Sequence, residues 1–272
     1  MKRHITSAIS QTFGKFANKR FSKGFQTLIN KTYINLMKLD MSEFQEASSY
    51  DSLNALFTRK LNKPRAFSLD EKDFISPCDA WISECGNLEK EYALQIKGME
   101  YKSDDFLGEE FSQEEKSHIY DGKFINFYLS PKDYHRYHIP LDMKILKVVH
   151  IPGKFYPVNL PSLKKRINLF VENERVVLQC QTQTGKIFYM VLVSALNVGV
   201  MQVSFESRIK TNADALHSSV YEYENLHLKK GEDFGCFEMG STIIMLCEKD
   251  MLDIKSRMGD DVKFSQTVAR LK

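Results

Sequence analysis

The chain has 272 residues, enough for one large domain or two small ones, and its 43% hydrophobic and 27% charged content is that of a soluble globular protein. The longest apolar region, Met190 to Met201, is too short and too polar for a transmembrane helix, and no apolar segment follows Lys2 and Arg3 as in a signal peptide. Five cysteines without C-x-x-C spacing argue against a disulfide framework or a zinc site and fit a reducing compartment: Cys78, Cys85, Cys180, Cys236 and Cys247.

The charge is distributed unevenly along the chain. The whole chain carries +3, and the first 39 residues carry +8 with no Asp or Glu, so the remainder carries −5. A basic arm on an acidic body indicates an anionic partner. Nucleic acid is the weaker choice for that partner, because the rest of the chain is acidic and shows no nucleic-acid-binding module.

The arm itself has helical periodicity. Gly14 and Gly24 interrupt the pattern, which predicts two short amphipathic pieces followed by a helix from Phe25 to Leu39. These helices either pack on the body with a solvated basic face or lie on a membrane surface, with the apolar stripe in the interface and the basic residues near lipid phosphates. The stripe consists of Ile5, Ile9, Phe13 and Phe16.

Three stretches with polar or charged residues follow the arm. Phe57-Thr58-Arg59-Lys60-Leu61, followed by Pro64-Arg65, is typical of a helix end closed by proline and indicates no chemistry by itself. Asp79, two residues after Pro77, is typical of a turn. His135 and His138 bracket Arg136 between two prolines, which suits a rigid turn. They could also be metal ligands, but no third ligand stands at a suitable spacing, so we expect no metal site.

The pattern becomes β-like after Ile145. Strands are predicted at Ile167 to Val171, Val176 to Gln181 and Ile187 to Val193, with hairpin turns at 172–175 and 183–185. The expected fold class is α+β, with N-terminal amphipathic helices followed by a mainly antiparallel β-sheet body. We expect a helical region over 1–62 and a β-rich domain over 63–272.

The most informative stretch lies near the C-terminus. Gly231 and Gly235 permit unusual backbone angles, and the apolar run Ile243 to Cys247 predicts a buried strand. The Gly240-Ser241 bond therefore lies where a tight turn enters a strand. Glycine leaves its carbonyl uncrowded, and the serine hydroxyl can reach that carbonyl. Taken alone, Gly-Ser-Thr is more often a plain turn.

The stretch KGEDFGCFEMGSTIIML resembles the C-terminal signature of the phosphatidylserine decarboxylases, which are self-processing pyruvoyl enzymes. Met239 replaces the usual Leu of that signature, and Ala80 stands where the family usually has Gly, a position at which alanine would be strained if positive φ were needed. The resemblance spans Phe57 to Gly259. It also rests on the stretches around Arg59, Asp79 and His135 to His138, on Ile151 to Asn159, on Asn173-Glu174-Arg175, and on Asn197 to Val200.

The resemblance implies a first reaction on the protein's own backbone. His138, oriented by Asp79, takes the proton of Ser241, whose hydroxyl attacks the Gly240 carbonyl. The amide becomes an ester, and elimination cuts the chain into residues 1–240 and 241–272. Ser241 becomes a covalent pyruvoyl group, the expected cofactor, and the small chain is expected to stay associated with the large one.

A second reaction is implied on phosphatidylserine. The pyruvoyl ketone forms a Schiff base with the lipid amine, and loss of CO2 leads to phosphatidylethanolamine. His135 is the expected acid and substrate contact, and Arg136 a possible phosphate or carboxylate partner. The family and the basic arm together predict a peripheral enzyme on the inner, cytoplasmic face of the cell membrane. Two processed units are expected to form a homodimer, with no nucleic acid bound.

Three alternatives remain open at this stage. The chain could be a non-processing, β-rich protein that binds membrane surfaces. A serine hydrolase built on Ser241, His138 and Asp79 would lack the Gly-x-Ser-x-Gly elbow. A pyruvoyl-dependent decarboxylase of a soluble amino acid would leave the basic amphipathic arm without a purpose.

Overall fold

The computed structural model describes residues 14–90, 92–96, 99–156, 169–195, 200–209, 211, 217–238 and 241–272. Three members of the predicted apolar stripe, Ile5, Ile9 and Phe13, lie outside these ranges, as do Met239 and Gly240. Residues 157–159 and 197–199 of the two family-like stretches also lie outside them, as do Ile167 and Asn168 of the predicted strand.

The helices of the described residues are short, apart from one in the N-terminal arm. Residues 14–18 are helical, and a 3₁₀ turn spans Ala47–Ser49. Ser52 caps the second helix by accepting a hydrogen bond from the Ala55 N–H, and Ser112 and Glu115 form a capping box at the fourth. No helix in the described ranges is long and apolar enough to cross a membrane. The helices are α1 Lys23–Met37, α2 Leu53–Phe57, α3 Ser103–Leu107, α4 Gln113–Ser117 and α5 Leu169–Glu172.

Helix α1 packs on the body through two buried amide side chains and through Ile29, Tyr33 and Ile34, which are partly buried against a small apolar cluster. Its buried residues are Gln26 and Asn30, whereas Phe25, Leu28 and Leu36 are exposed. The Gln26 amide donates to Asn30 Oδ1, and the Asn30 amide donates to the carbonyl oxygens of Ala47 and Tyr50, each at 2.9 Å. Buried amides are tolerated because they have these partners. The helix therefore turns an apolar face away from the protein.

Sixteen strands make up the β part of the described residues. They form an eight-stranded sheet, two three-stranded sheets and a hairpin. Every strand pair is antiparallel. The strands are β1 Asp73–Ile75, β2 Ala80–Asn87, β3 Tyr92–Ile96, β4 Met99–Lys102, β5 Lys123–Leu129, β6 Arg136–His138, β7 Met143–Ile151, β8 Arg175–Thr182, β9 Ile187–Val193, β10 Met201–Val203, β11 Ser219–Leu228, β12 Asp233–Phe237, β13 Ser241–Cys247, β14 Leu252–Ile254, β15 Asp261–Val262 and β16 Thr267–Leu271.

The large sheet has the order β11-β7-β8-β9-β13-β5-β2-β15. Strand β13 lies inside it, paired with β9 on one side and β5 on the other, and all seven of its residues are buried. One face, which carries Ile243 and Met245, packs against the small sheets β10-β12-β6 and β1-β16-β14. The other face, which carries Ile244 and Leu246, packs against apolar residues of and around α3 and α4.

The α+β fold class is confirmed, and so are its most periodic elements. The helix predicted from Phe25 to Leu39 is α1, and the strands predicted from Val176, Ile187 and Ile243 are β8, β9 and β13. The Gln183-Thr184-Gly185 turn closes the β8–β9 hairpin, with Gly185 at φ +86°.

The strand predicted from Ile167 to Val171 is wrong. Residues Leu169–Glu172 form helix α5, so the following turn does not join two strands. The buried Arg175 explains the difference, because its guanidinium donates to the carbonyl oxygens of Val171 and Asn173 and holds this segment in a turn. These are tertiary contacts, which the sequence pattern does not reveal. The apolar residues of the segment suit a helix or a strand equally, so the pattern could not distinguish the two.

Candidate active site

The site is built around Ser241, the first residue of β13. Its backbone lies opposite Leu129 of β5, and its side chain is on the sheet face that carries Ile243 and Met245. The residue is fully buried, and its Oγ has no hydrogen-bond partner among the described residues. A buried hydroxyl without a partner is costly and calls for an explanation. A reaction in which this oxygen takes part is such an explanation.

The small sheet β10-β12-β6 covers this face and carries the two histidines. Phe237, at the end of β12, donates its N–H to the His135 carbonyl at 2.9 Å. This hydrogen bond holds Phe237, four residues before Ser241, next to His135. Tyr137 of β6 and Phe237 both pack in the core beneath the Ser241 face of the large sheet.

His138, the last residue of β6, has partners on both ring nitrogens. Its Nδ1 lies 3.0 Å from the Gly231 carbonyl, which can only accept, so this nitrogen carries the proton. Its Nε2 therefore accepts from the Tyr134 hydroxyl at 3.0 Å. The ring stacks on Phe264 at a centroid distance of 3.5 Å. Burial lowers the pKa of His138 to about 4, so the imidazole is neutral at neutral pH.

Asp79 does not hydrogen-bond His138 in this structure. Its carboxylate accepts from the Arg65 guanidinium, at 2.5 Å for Oδ1 and 3.0 Å for Oδ2, and from the Phe264 N–H at 2.8 Å. Because the Phe264 ring stacks on His138, Asp79 reaches the imidazole through Phe264 and not directly. The loop before Asp79 also contacts His138, because the backbone N–H of His138 donates to the Pro77 carbonyl at 2.7 Å. Ala80 begins β2 without a positive φ, so the strain expected there is absent.

His135 differs from His138 in having one open nitrogen. Its Nδ1 donates to the Asp133 carbonyl at 2.8 Å, whereas its Nε2 is buried and has no partner among the described residues. The ring packs against Phe57 of α2 at 4.0 Å. Burial lowers the pKa of His135 to about 3. The open Nε2 is therefore an unprotonated lone pair in a buried position.

Three contributors to this site were missed by the sequence analysis: Arg65, Tyr134 and Phe264. Arg65 holds Asp79 and is itself bound by Glu43, and its pKa is raised, against the effect of burial, by these two carboxylates. Phe264 lies 185 residues after Asp79, and no spacing rule connects the two. Tyr134 stood inside the motif with the histidines, which was the one available signal.

The charge of Arg136 is balanced by the carboxylate of Asp233. Its guanidinium forms a two-point contact with the Asp233 carboxylate, with Nη2 and Oδ1 3.0 Å apart. Among the described residues, no three His, Cys, Asp or Glu side chains are grouped to hold a metal ion. The arrangement thus offers a buried nucleophilic oxygen and two neutral imidazoles.

Comparison with known proteins agrees with this chemistry. A sequence model of the family described as "Phosphatidylserine decarboxylase" matches residues 53–270. A phosphatidylserine decarboxylase proenzyme of Campylobacter jejuni is 44% identical over 264 residues, covering 96% of this chain and 97% of the relative. Those of Helicobacter pylori and Idiomarina loihiensis are 44% and 35% identical over 266 residues, covering 97% and 95% of this chain and 97% and 88% of the relatives.

The neutral, buried His138 predicts that acid destabilises the fold. An unfolded histidine has a pKa of about 6.5, so between that value and the folded value of about 4 the unfolded chain binds more protons than the folded chain. This contribution to stability is present above about pH 6.5 and is lost as the pH falls towards 4, by up to about 3 kcal/mol. The melting temperature of a Ser241→Ala chain should fall more steeply with acid than that of the same chain carrying His138→Gln.

The exposed His217 supplies the control for that measurement. His217→Gln in the Ser241→Ala chain should leave the acid dependence of the melting temperature unchanged. Protonation of carboxylates lowers the melting temperature of both chains alike. The prediction is therefore contradicted if the melting temperatures of His138→Gln and its parent fall in parallel as the pH is lowered.

Proposed function

The chain belongs to the phosphatidylserine decarboxylase family, and we propose that it cuts itself between Gly240 and Ser241 and then decarboxylates phosphatidylserine to phosphatidylethanolamine and CO2. The observation that carries the proposal is the buried, unpartnered Ser241 Oγ at the start of an internal strand. The relatives named proenzymes match over nearly their whole length and support self-processing. They do not favour a serine hydrolase, a non-processing binding protein or a decarboxylase of a soluble amino acid.

The proposed self-cleavage uses only groups of this chain. Ser241 Oγ attacks the Gly240 carbonyl carbon while an imidazole takes the hydroxyl proton, and the amide becomes an ester with a free amine on Ser241. A base then removes the Ser241 α-proton, and the Cβ–Oγ bond breaks. Gly240 leaves with a carboxylate, and the dehydroalanine left at position 241 takes up water and loses ammonia to give the pyruvoyl group.

We propose His138 as the base in cleavage, positioned by Asp79 through Phe264. The low pKa of His138 keeps it unprotonated at neutral pH, as a base must be. Its Nε2 lone pair faces the Tyr134 hydroxyl in the uncleaved chain, so Tyr134 must shift or relay the proton. His135, whose Nε2 has no partner among the described residues, is proposed to contact the substrate. Replacement of CO2 by hydrogen takes up one proton overall, so the unprotonated His135 Nε2 must first accept that proton from water before it delivers it to the carbon that lost CO2.

The residues around Ser241 fit its conversion to a pyruvoyl group. Among the described residues, Ser241 Oγ has no hydrogen-bond partner that the conversion would remove. When formed, the group supplies an electron sink for the electrons left by loss of CO2. Strand β13 pairs with β9 and β5, and β16 pairs with β1, which supports our proposal that chain 241–272 stays bound to chain 1–240.

The N-terminal arm offers a surface for the substrate's bilayer. We define the arm's apolar face as Phe16, Phe25, Leu28 and Leu36, whose exposed fractions lie between 47% and 71%. The Phe21 ring bridges Phe16 and Phe25, at 6.0 and 5.4 Å. Exposed apolar side chains next to basic ones match an anionic interface, supporting a peripheral position on the cytoplasmic leaflet. The exposed basic residues are Lys15, Lys19, Arg20, Lys23, Lys31 and Lys38.

Cleavage is tested by intact mass. The purified chain should consist of residues 1–240 and a 32-residue fragment, 241–272, whose N-terminus is blocked and reacts with carbonyl reagents. Ser241→Ala should stay full-length. Thr242→Val is the matched control, because Thr242 Oγ1 is also buried without a described partner but points to the opposite face of the sheet. Thr242→Val should cleave, and an active preparation of full-length mass would exclude the mechanism.

The histidine roles are separated by scoring cleavage and decarboxylation independently. His138→Ala should slow cleavage by about 100-fold or more, the usual contribution of a general base. Asp79→Ala should also slow it, and Asp79→Asn less so, because an amide oxygen can still accept the Phe264 N–H. His135→Ala should cleave fully but decarboxylate at least about 100-fold more slowly. Blocked cleavage in His135→Ala with normal cleavage in His138→Ala would exchange the two roles.

Membrane docking is tested by vesicle flotation. Replacing Phe25, Leu28 and Leu36 together by Ser should weaken binding to anionic vesicles by about tenfold or more, because their apolar surface no longer enters the interface. Cleavage and activity on detergent-dispersed lipid should persist. High salt should weaken wild-type binding.

Two comparisons control the flotation experiment. Leu69→Ser removes another exposed apolar side chain, outside the arm, and should bind like the wild type. Deletion of residues 1–13 is preferable to a longer one, since Ala17 is buried against Leu53 and Leu56. Equal flotation of the triple variant and the wild type would end the docking proposal.

A further inference from the structure

A pocket of about 440 Å³ lies between the end of α2 and β6 and opens to solvent. It is next to His135, because Phe57, which packs on the His135 ring, immediately precedes the lining residues Thr58 and Arg59. Its other polar lining residues are Gln45, Tyr50, Lys60, Asn62 and Arg136. No Asp or Glu lines it, and every lining residue belongs to the described part of the chain.

Arg59 is a buried cation without a carboxylate contact in the described structure. Only 2% of its surface is exposed. Its Nη2 donates to the carbonyl oxygens of Lys132 and Asp133, and its guanidinium stacks on Phe44 at 4.4 Å. Its Nε and Nη1 are buried without a hydrogen-bond partner. Because arginine stays protonated and a buried charge is costly unless paired, an anion at these two nitrogens would complete the site.

The carboxylates near Arg59 are bound elsewhere. Burial lowers the pKa of Arg59, and the raising effects of Asp79 and Asp133 do not offset it. Asp79 is held by Arg65, and the Asp133 carboxylate accepts from the N–H and hydroxyl of Ser130. The neighbouring Arg136 is balanced by Asp233. The lining cations without an ion pair among the described residues are therefore Arg59 and Lys60, and of these two only Arg59 is buried.

Tyr50 adds a second unused donor. Its hydroxyl is buried without a hydrogen-bond partner among the described residues, and Tyr50 is one of the residues that line the same pocket. Burial raises the pKa of Tyr50, with the Gln45 backbone and Arg59 acting weakly in the other direction. The hydroxyl therefore keeps its proton and can donate it. Two Arg59 nitrogens and one Tyr50 hydroxyl are the donor set that a tetrahedral oxyanion accepts from.

We propose that this pocket binds the phosphodiester of the substrate's head group, an inference that rests on the proposed decarboxylase function. Bound there, the phosphate would leave the serine amine and carboxylate of the lipid to reach towards His135. Asn30 of α1 hydrogen-bonds the Tyr50 carbonyl, so the pocket is also tied to the arm that faces the membrane.

The direct test measures binding without activity. Glycerophosphoethanolamine carries the phosphodiester but no carboxylate, and calorimetry with the uncleaved Ser241→Ala chain should detect it. Tyr50→Phe should weaken that binding about tenfold, the loss expected for one hydrogen bond to a charged group. Arg59→Met should abolish it. Tyr33→Phe is the matched control, because Tyr33 also lies near Arg59 but its hydroxyl points to the Pro131 carbonyl and does not line the pocket.

Kinetics on detergent-dispersed phosphatidylserine extend the test to the cleaved enzyme. Tyr50→Phe should raise KM about tenfold at unchanged kcat with complete cleavage, and Tyr33→Phe should match the wild type. Inorganic phosphate should compete less well than glycerophosphoethanolamine if the pocket is built for a diester, and equal competition would assign it to free phosphate.

Three outcomes would overturn the proposal. These are no calorimetric binding to the Ser241→Ala chain, identical affinities for Tyr50→Phe and Tyr33→Phe, or competition by free serine as strong as that by the diester, which would indicate a carboxylate site. A wild-type chain that binds glycerophosphoethanolamine but makes no phosphatidylethanolamine would count against the proposed function and leave the pocket assigned.

Discussion

The proposed reaction cuts the chain at the first residue of β13, and the structure accommodates it because pairing and burial keep β13 inside the sheet before and after the cut. All residues from Ser241 to Cys247 are buried, and both strand edges are paired. Apolar burial and the hydrogen bonds to both neighbouring strands hold β13 in place and do not require the peptide bond to residue 240. The new chain end is therefore fixed by the sheet. A reactive group formed at Ser241 needs no flexible loop to position it.

Burial also decides the state of the two histidines. Desolvation lowers the pKa of both, so neither needs a carboxylate to stay neutral and basic. A direct contact with Asp79 would have favoured the charged imidazolium of His138. The structure instead uses the Asp79 carboxylate to neutralise Arg65 and to hold the Phe264 backbone, while the Phe264 ring fixes the plane of the imidazole. Besides positioning the histidine through Phe264, the charge of the Asp79 carboxylate raises the pKa of His138, which burial lowers more strongly.

The sequence was informative where periodicity or a short motif determined the structure. The apolar run from Ile243 to Cys247 predicted β13, and the apolar run from Ile187 to Val193 predicted β9. The order of strands could not be predicted, because β9 and β5 reach β13 through long connections. The partners of Asp79 were equally hidden, since Arg65 and Phe264 flank it at very different distances along the chain. Buried polar atoms without a hydrogen-bond partner, such as His135 Nε2, can be identified only from the three-dimensional structure.

Helix α1 shows why amphipathicity alone does not say which face of a helix meets the protein. Its amides, Gln26 and Asn30, point inward beside the partly buried Ile29, Tyr33 and Ile34, whereas Phe25, Leu28 and Leu36 are exposed. In water this leaves apolar surface uncovered, which is unfavourable for a soluble domain. At a bilayer the same surface is buried in lipid, while the inward amides keep their protein partners, Ala47 and Tyr50. The helix can therefore enter the interface without giving up its attachment, and the loop that carries Tyr50 stays beneath it.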